Sequence, residues 1–408
     1  AWIEPQRPSL LRNNKDGTFT DVTRTAGLLQ PINTQVAVWA DYDNDGWLDL
    51  FVGGETVPSR LYHNQGDGTF EERAEKAGAS NRGYKCKGAN WGDWDGDGYP
   101  DLFVSNLNGP PRLYHNNKNG TFKDIAAQVG IRRPRNGFSC WFWDYDNDGW
   151  LDLFVTGYER DLNEVIASHL GKPHKGVICR LYHNQHGKGF ADVSKAAGLD
   201  HAMAPMGSNF GDFDGDGFLD FYLGTGTPNY SMLVPNRMFK NVGGKRFADI
   251  TFSSGTGHLQ KGHGVACGDW DRNGSIDLFV QMGGAVPGDR SRSALFQNPS
   301  KGKHWITVHL TGKKSNRPAI GARIKATLSS GQTIYRHVSS GSSFGANPLQ
   351  QTIGLGAADK IVTLEIHWPT SGTTQVFRDV PVDQAIEVTE FEKSYRSSAS
   401  SAPPIPRS

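Results

Sequence analysis

One acidic phrase, repeated five times, constrains this chain more than any other feature. Asp-x-Asp-x-(Asp/Asn)-Gly-x-x-Asp begins at Asp41, Asp93, Asp144, Asp212 and Asp269, at steps of 52, 51, 68 and 57 residues. A second phrase, Leu-Tyr-His-Asn and its variants, alternates with it and places asparagines at Asn13, Asn64, Asn116, Asn184, Asn241 and Asn298. Two markers that drift together in one register define a tandem array over residues 10–300. A unit of ~50 residues cannot bury both of its own faces, so neighbouring units must stack.

Within a unit the pattern is short strands and turns. Val36–Ala40 precedes the first acidic phrase and Leu48–Val52 follows it, while Arg60–Asn64 and Thr69–Glu72 supply two more strand-like runs. Four strands per ~50 residues is the period of a propeller blade, and a ring of such blades leaves few exposed edges. The expected fold is therefore all-β, a β-propeller with an all-β C-terminal region. The long third interval carries an insertion at residues 158–180. There Asp161–Leu170, closed by Gly171, reads as a short helix and a lid or contact loop.

The acidic phrase has the chemistry of a hard cation site. In the first loop Asp41, Asp43 and Asp45 alternate so that their carboxylates converge. Gly46 allows the sharp turn, the Trp47 carbonyl can add an oxygen, and Asp49 reaches back from the next strand. An all-oxygen set of this size suits Ca²⁺, whereas Mg²⁺ demands tighter octahedral geometry. The equivalent ligands are Asp93, Asp95, Asp97, Tyr99 and Asp101 in the second loop, and Asp144, Asp146, Asp148, Trp150 and Asp152 in the third. The fourth has Asp212, Asp214, Asp216, Phe218 and Asp220, and the fifth Asp269, Asp271, Asn273, Ser275 and Asp277. Up to five Ca²⁺ are expected, with the fifth site weakest because Asn273 removes a charge. An EF-hand would need a bidentate Glu at position 12, where this chain has Val52, Val104, Val155, Leu223 and Val280. The five loops hold 19 of the 42 acidic residues, so loading them would move the formal charge from +1 to about +11.

Loops of this kind, preceded by segments such as Asn90-Trp91-Gly92 and Asn209-Phe210-Gly211, resemble FG-GAP (VCBS) repeats, the family that includes the integrin α-subunit propeller. The resemblance implies calcium in the blade loops and an extracellular setting. Five loops are legible, against the seven blades of the integrin propeller. After Asn298 the composition shifts to Thr, Ser, Ile and Val. Strands are expected at 304–310, 320–328, 333–338, 350–354, 361–368, 374–377 and 385–389. Asn316–Arg323, Gly341–Phe344, Gly354–Gly356 and Trp368–Gly372 resemble the ASPIC/UnbV domain, which commonly follows FG-GAP repeats in bacterial secreted proteins and in the cartilage acidic protein family. These seven strands form either a small sandwich or two blades that complete a seven-bladed ring. The division read from sequence is a propeller over 1–300, an ASPIC/UnbV-like region over 301–393 and a disordered Ser/Pro-rich tail over 394–408.

Catalytic motifs are missing from the sequence: it has no Gly-x-Ser-x-Gly elbow, His-Glu-x-x-His or phosphate-cradling glycine loop. His63, His115 and His183 recur with the blade and read as structural. Lys85, Lys87 and His263, which break the repeat next to the expected axis, are the candidate channel residues for acid–base work. Cys86, Cys140, Cys179 and Cys267 make no CxxC pair; buried thiols are expected, with one disulfide as the alternative. The near-zero charge removes the simplest case for nucleic acid, and no apolar run reaches the ~18 residues of a membrane span. The chain starts at Ala1, which reads as a processed or trimmed terminus. The expected function is a secreted or periplasmic calcium-loaded scaffold for binding or adhesion, its partner an extracellular protein, glycan or small molecule. The alternatives are a calcium-dependent enzyme working in the channel or under the insertion, and a lectin-like module.

Overall fold

A computed structural model describes residues 5–227, 229, 231–283, 292–299 and 302–398. Four sheets of four antiparallel strands follow one another along the chain, each with its strands in sequence order. The first comprises Thr34–Ala40, Asp49–Gly54, Arg60–Asn64 and Phe70–Glu72. The later ones begin with the inner strands Lys85–Gly92, Gly137–Trp143 and Pro205–Gly211. A fifth sheet has three antiparallel strands, Gly262–Gly268, Asp277–Met282 and Ala294–Phe296. This is the blade architecture of a β-propeller. A hairpin, Leu11–Asn13 with Phe19–Asp21, precedes the first blade and matches the outer two strands of the others.

The second strand of each blade shows why stacking is obligatory. Leu102, Phe103 and Val104 are successive residues, so they point to opposite faces, yet all three are fully buried. A strand buried on both sides needs a neighbour on both sides. The aromatic residue of this strand recurs as Phe51, Phe103, Phe154 and Tyr222, each 0% exposed, whereas its fifth counterpart, Phe279, is 41% exposed. Inner strands are tied across blades as well. Asn90 Oδ1 accepts from Phe142 N at 2.9 Å, and Asn209 Nδ2 donates to Val265 O at 3.1 Å.

The C-terminal region resolves the choice left by the sequence. Its strands do not form two blades; they form a sandwich. One sheet runs in the order Gln351–Gly356, His304–Thr311, Gln384–Thr389, Arg396–Ser398. The other runs Thr333–His337, Arg323–Leu328, Lys360–His367, Thr374–Pro381. The alternating strand patterns let each sheet contribute one apolar face, and Ile306, Val308, Ile324, Leu364, Ile366 and Trp368 meet in a single core. The expected disordered tail is corrected in part. Arg396–Ser398 pairs with Gln384–Thr389 because Ala385, Ile386 and Glu387 otherwise present a bare edge; residues 399–408 lie outside the described residues.

Between two sandwich strands the chain makes an excursion into the propeller. Ser343 Oγ accepts from Cys140 N at 3.1 Å, Asn90 Nδ2 donates to Gly341 O at 2.8 Å, and Asn347 Nδ2 donates to Phe210 O at 3.0 Å. Gly345–Ala346 then adds a parallel strand to Val265–Ala266 of the fifth blade. The segment thus touches the inner strands of the second, third, fourth and fifth blades and plugs the space they enclose. The insertion holds a helix, Leu162–His169, capped by the Asp161 side chain on Asn163 N. Its Val165 packs with Ala204, Met232 and Val234 beside the fourth blade.

Candidate metal centres on one face of the blades

The acidic loops join the first and second strands of each blade, and the five have one geometry. In the first, Asp41 receives the N–H of Asp45 at 2.9 Å on one oxygen and that of Gly46 at 3.0 Å on the other, while Asp45 caps Trp47 N at 2.8 Å. Asp49 accepts from Tyr42 N at 3.1 Å and Asn64 N at 2.9 Å. Gly46 sits at φ +93°, and Gly98, Gly149, Gly217 and Gly274 lie between +86° and +91°, a region a side chain avoids. Tyr99, Trp150, Phe218 and Ser275 repeat the N–H contact of Trp47 to the fifth position at 2.8–2.9 Å.

The carboxylates converge as the spacing predicts. Asp41, Asp43 and Asp45 bring one oxygen each within 4.8 Å of the others, as do Asp93, Asp95 and Asp101. Several oxygens in these clusters are buried with no hydrogen-bond donor: Asp43 Oδ1, Asp146 Oδ1 and Asp214 Oδ1 at the third position, and Asp101 Oδ2 at the ninth. A buried carboxylate oxygen without a donor is costly unless a cation meets it. The same vertex is orphaned in loops one, three and four, so the donor set fits a hard divalent ion. Burial pushes the carboxyls up, with neighbouring carboxylates adding to the effect: Asp49 to about 8, Asp101 and Asp152 to about 7, Asp41 and Asp93 to about 6.

Sequence reasoning missed two contributors. The histidines of Leu-Tyr-His-Asn, read as structural, lie against the loops. His63 Nδ1 is 3.1 Å from Asp49 and 3.3 Å from Asp43; His115 and His183 repeat this at 3.0 and 3.5 Å, and at 3.2 and 3.4 Å. The hydrogen bond to Asp152 pushes His183 up to about 9. The signal was available, since this phrase keeps step with the acidic one. The asparagines were also more than turn formers. Asn116, Asn184, Asn241 and Asn298 donate Nδ2 to the carbonyls of Tyr42, Trp94, Tyr145 and Phe213, so each fastens the loop of the preceding blade.

The sandwich docks on this loop face. Thr370 Oγ1 donates to Asp41 at 2.8 Å, Tyr335 N to Asn147 Oδ1 at 3.1 Å, and Gly354 N to Asp212 at 3.1 Å. Two narrow clefts lie along the junction. One is lined by Trp39, Asp93, Arg323 and His337, the other by Asp144, Tyr335, Arg336 and Asn347. Burial beside Arg323 pushes His337 down to about 4, leaving it neutral.

Lys85, Lys87 and His263 line neither cleft. Lys85 is exposed, whereas Lys87 is buried with its ammonium 3.0 Å from both Gln35 and Glu55. His263 lies on the inner strand of the fifth blade. All four cysteines are buried free thiols.

Two families match the chain: FG-GAP-like repeat over residues 1–52, 41–104 and 93–155, and ASPIC and UnbV over residues 312–394. Human cartilage acidic protein 1 is 31% identical over 199 residues, which is 47% of this chain and 28% of that protein. The protein of the same name from Xenopus tropicalis is 32% identical over 208 residues, 49% of this chain and 30% of its own length. The alignments thus span less than a third of these relatives. Among solved structures, the exotype rhamnogalacturonan lyase YesX overlaps 92% of this chain and 68% of its own at 12% identity and a TM-score of 0.37. Sqt1 of Saccharomyces cerevisiae overlaps 85% and 86% at 10% identity, also with a TM-score of 0.37. No helix among the described residues is long and apolar enough to cross a membrane. The chain is a β-propeller protein that carries FG-GAP-like repeats over residues 1–155 and an ASPIC and UnbV domain over residues 312–394, and it is similar to cartilage acidic protein 1.

Proposed function

We propose that this protein is a secreted or periplasmic calcium-binding scaffold for binding or adhesion, in which Ca²⁺ in the blade loops has a structural role. The observation that carries the reading is the recurrence of one orphaned, buried carboxylate oxygen in equivalent loops, at Asp43, Asp146 and Asp214. Bound Ca²⁺ supplies positive charge to carboxylates that repel one another. The chain's own part is to hold the ligands. Backbone N–H groups clamp the first and fifth positions, the asparagine clamps the ninth, and the sandwich covers the face.

Up to five ions would be held by the aspartates of the five loops together with Asn273, and an extracellular or periplasmic setting with millimolar calcium suits oxygen sites of this kind. The similarity to cartilage acidic protein 1 supports the same placement. Rigid loops on the stacked blades leave the rim as the contact surface for an extracellular protein, glycan or small molecule. Since an unfolded chain has no preformed site, ion binding adds to folding stability. Excess EDTA is expected to lower the melting temperature by about ten degrees, roughly what losing about 9 kcal/mol, shared among the five sites, does to a chain of this size. An unchanged melt overturns the structural role.

A further inference from the structure

The residue before each loop-fastening asparagine faces the third-position aspartate, and it is not the same in every blade. It is His63, His115 and His183 in the first three, Lys240 in the fourth and Gln297 in the fifth. Lys240 Nζ is hydrogen-bonded and ion-paired to Asp214 Oδ2, the oxygen that a histidine approaches at 3.3–3.5 Å in the other loops. Two more cations converge on the fourth loop from beyond the array. Lys303 Nζ lies 3.8 Å from the same oxygen, and Arg336 Nη2 lies 3.6 Å from Asp212 Oδ2. The Arg336 and Asp212 side chains are 4% and 1% exposed, so solvent screens this pair little. Arg336 is further pinned by donating to Gly217 O at 3.2 Å, inside the same loop, and to Tyr335 O at 2.8 Å.

The fourth loop therefore has the full set of four aspartates and, at Asp214 Oδ1, the same orphaned vertex as loops one and three. The second loop also meets cations, Lys118 at 3.2 Å from Asp97 and Arg323 beside Asp93, but on its fifth and first positions. Among the described residues, what distinguishes the fourth loop is an ammonium group held on the third-position carboxylate, with Lys303 and Arg336 behind it. A divalent ion entering there gains less from the carboxylates and is repelled by ammonium and guanidinium groups a few ångströms away. In the fifth loop the lost charge at Asn273 is accompanied by a neutral partner, Gln297, whose amide donates to Asp271 at 2.5 Å.

Resting on the calcium reading above, we propose that the fourth loop is the weakest divalent site of the five, with Lys240 as the residue that makes it so. This reverses the order expected from counting aspartates, which put the fifth loop last.

The test is stepwise Ca²⁺ binding to the full chain in calcium-buffered solution, with stoichiometry read by native mass spectrometry and affinities by isothermal titration. Asp214→Asn is expected to abolish the weakest step and leave the tighter ones in place, and Lys240→Gln to tighten that step roughly tenfold or more. Lys303→Gln, a change at an exposed side chain, is expected to act in the same direction more weakly. The proposal is overturned if Asp277→Asn removes the weakest step instead, or if folded Lys240→Gln and Lys303→Gln both leave it unmoved while the wild type binds calcium. A wild type that binds no Ca²⁺ in any loop overturns the calcium reading itself, and this inference with it.

Discussion

Phe154 and Phe279 are the same letter of the same repeat, two blades apart, and they live in different surroundings. Phe154 is 0% exposed and packs against Trp141 and Phe221, with ring centroids 4.5 and 4.9 Å away. Phe279 is 41% exposed, and its cross-strand partner Leu295 is 48% exposed. The two strands carry the same run, Asp-Leu-Phe-Val. A blade's interior is thus a property of the pair of blades: the sequence supplies an apolar face, and only the next sheet buries it.

The largest expected effect follows from that contrast. Phe154→Ala should cost about 3–5 kcal/mol in chemical denaturation, the range for emptying a well-packed aromatic site. Phe279→Ala should cost less than about 1.5 kcal/mol, because part of that side chain is already in water. Equal costs would mean that the outer face of the fifth blade is covered in solution.

The same contrast sets a pH dependence. The ninth-position carboxyls of the first three blades, Asp49, Asp101 and Asp152, are pushed by burial to about 8, 7 and 7, against about 3.9 in an unfolded chain. Between those values the folded state holds more protons than the unfolded one. The linked stabilisation is complete below about pH 4 and is lost as pH rises through 7 to 8. His183, raised to about 9 by Asp152, acts in the same direction. Calcium-free protein should therefore melt progressively lower from pH 5 to pH 9. Asp49→Asn should flatten this slope more than Asp277→Asn, because Asp277 lies on the open blade. Scanning calorimetry in EDTA tests it, and a slope of opposite sign overturns it.

A smaller effect belongs to the plug, the piece that gives the fifth blade a fourth strand. Ser343→Ala leaves the buried Cys140 N–H without its side-chain acceptor and should cost about 1–2 kcal/mol. A neutral result in urea denaturation would mean that the plug rests on the inner strands without bracing them.

Blades and loops were legible because their signals are local: alternating apolar residues, a glycine forced to positive φ, and carboxylates at every second position. Each expected C-terminal strand also has a counterpart in the structure, with ends shifted by up to three or four residues. What escaped the sequence acts over distance. Gly341-Ser342-Ser343-Phe344 reads as a turn, yet Gly341 is bonded to Asn90, 251 residues away. Arg336 sits in an ordinary strand, and nothing nearby in the chain marks it as a neighbour of Asp212. His63 resembled a packing residue because it recurs, although recurrence in step with the loops was itself the clue. Sandwich and extra blades were indistinguishable from strand patterns alone, since both use half-buried alternating strands.

The asparagine clasps impose an order of completion. Asn116 fastens the loop of the blade before it, and Asn184, Asn241 and Asn298 do the same for theirs. While the chain emerges from the ribosome N-terminus first, none of the first four cation cradles is finished until the following blade has arrived to lock it. Maturation of the cradles should trail synthesis by one repeat, and the sandwich that roofs them can settle only after the last clasp has closed.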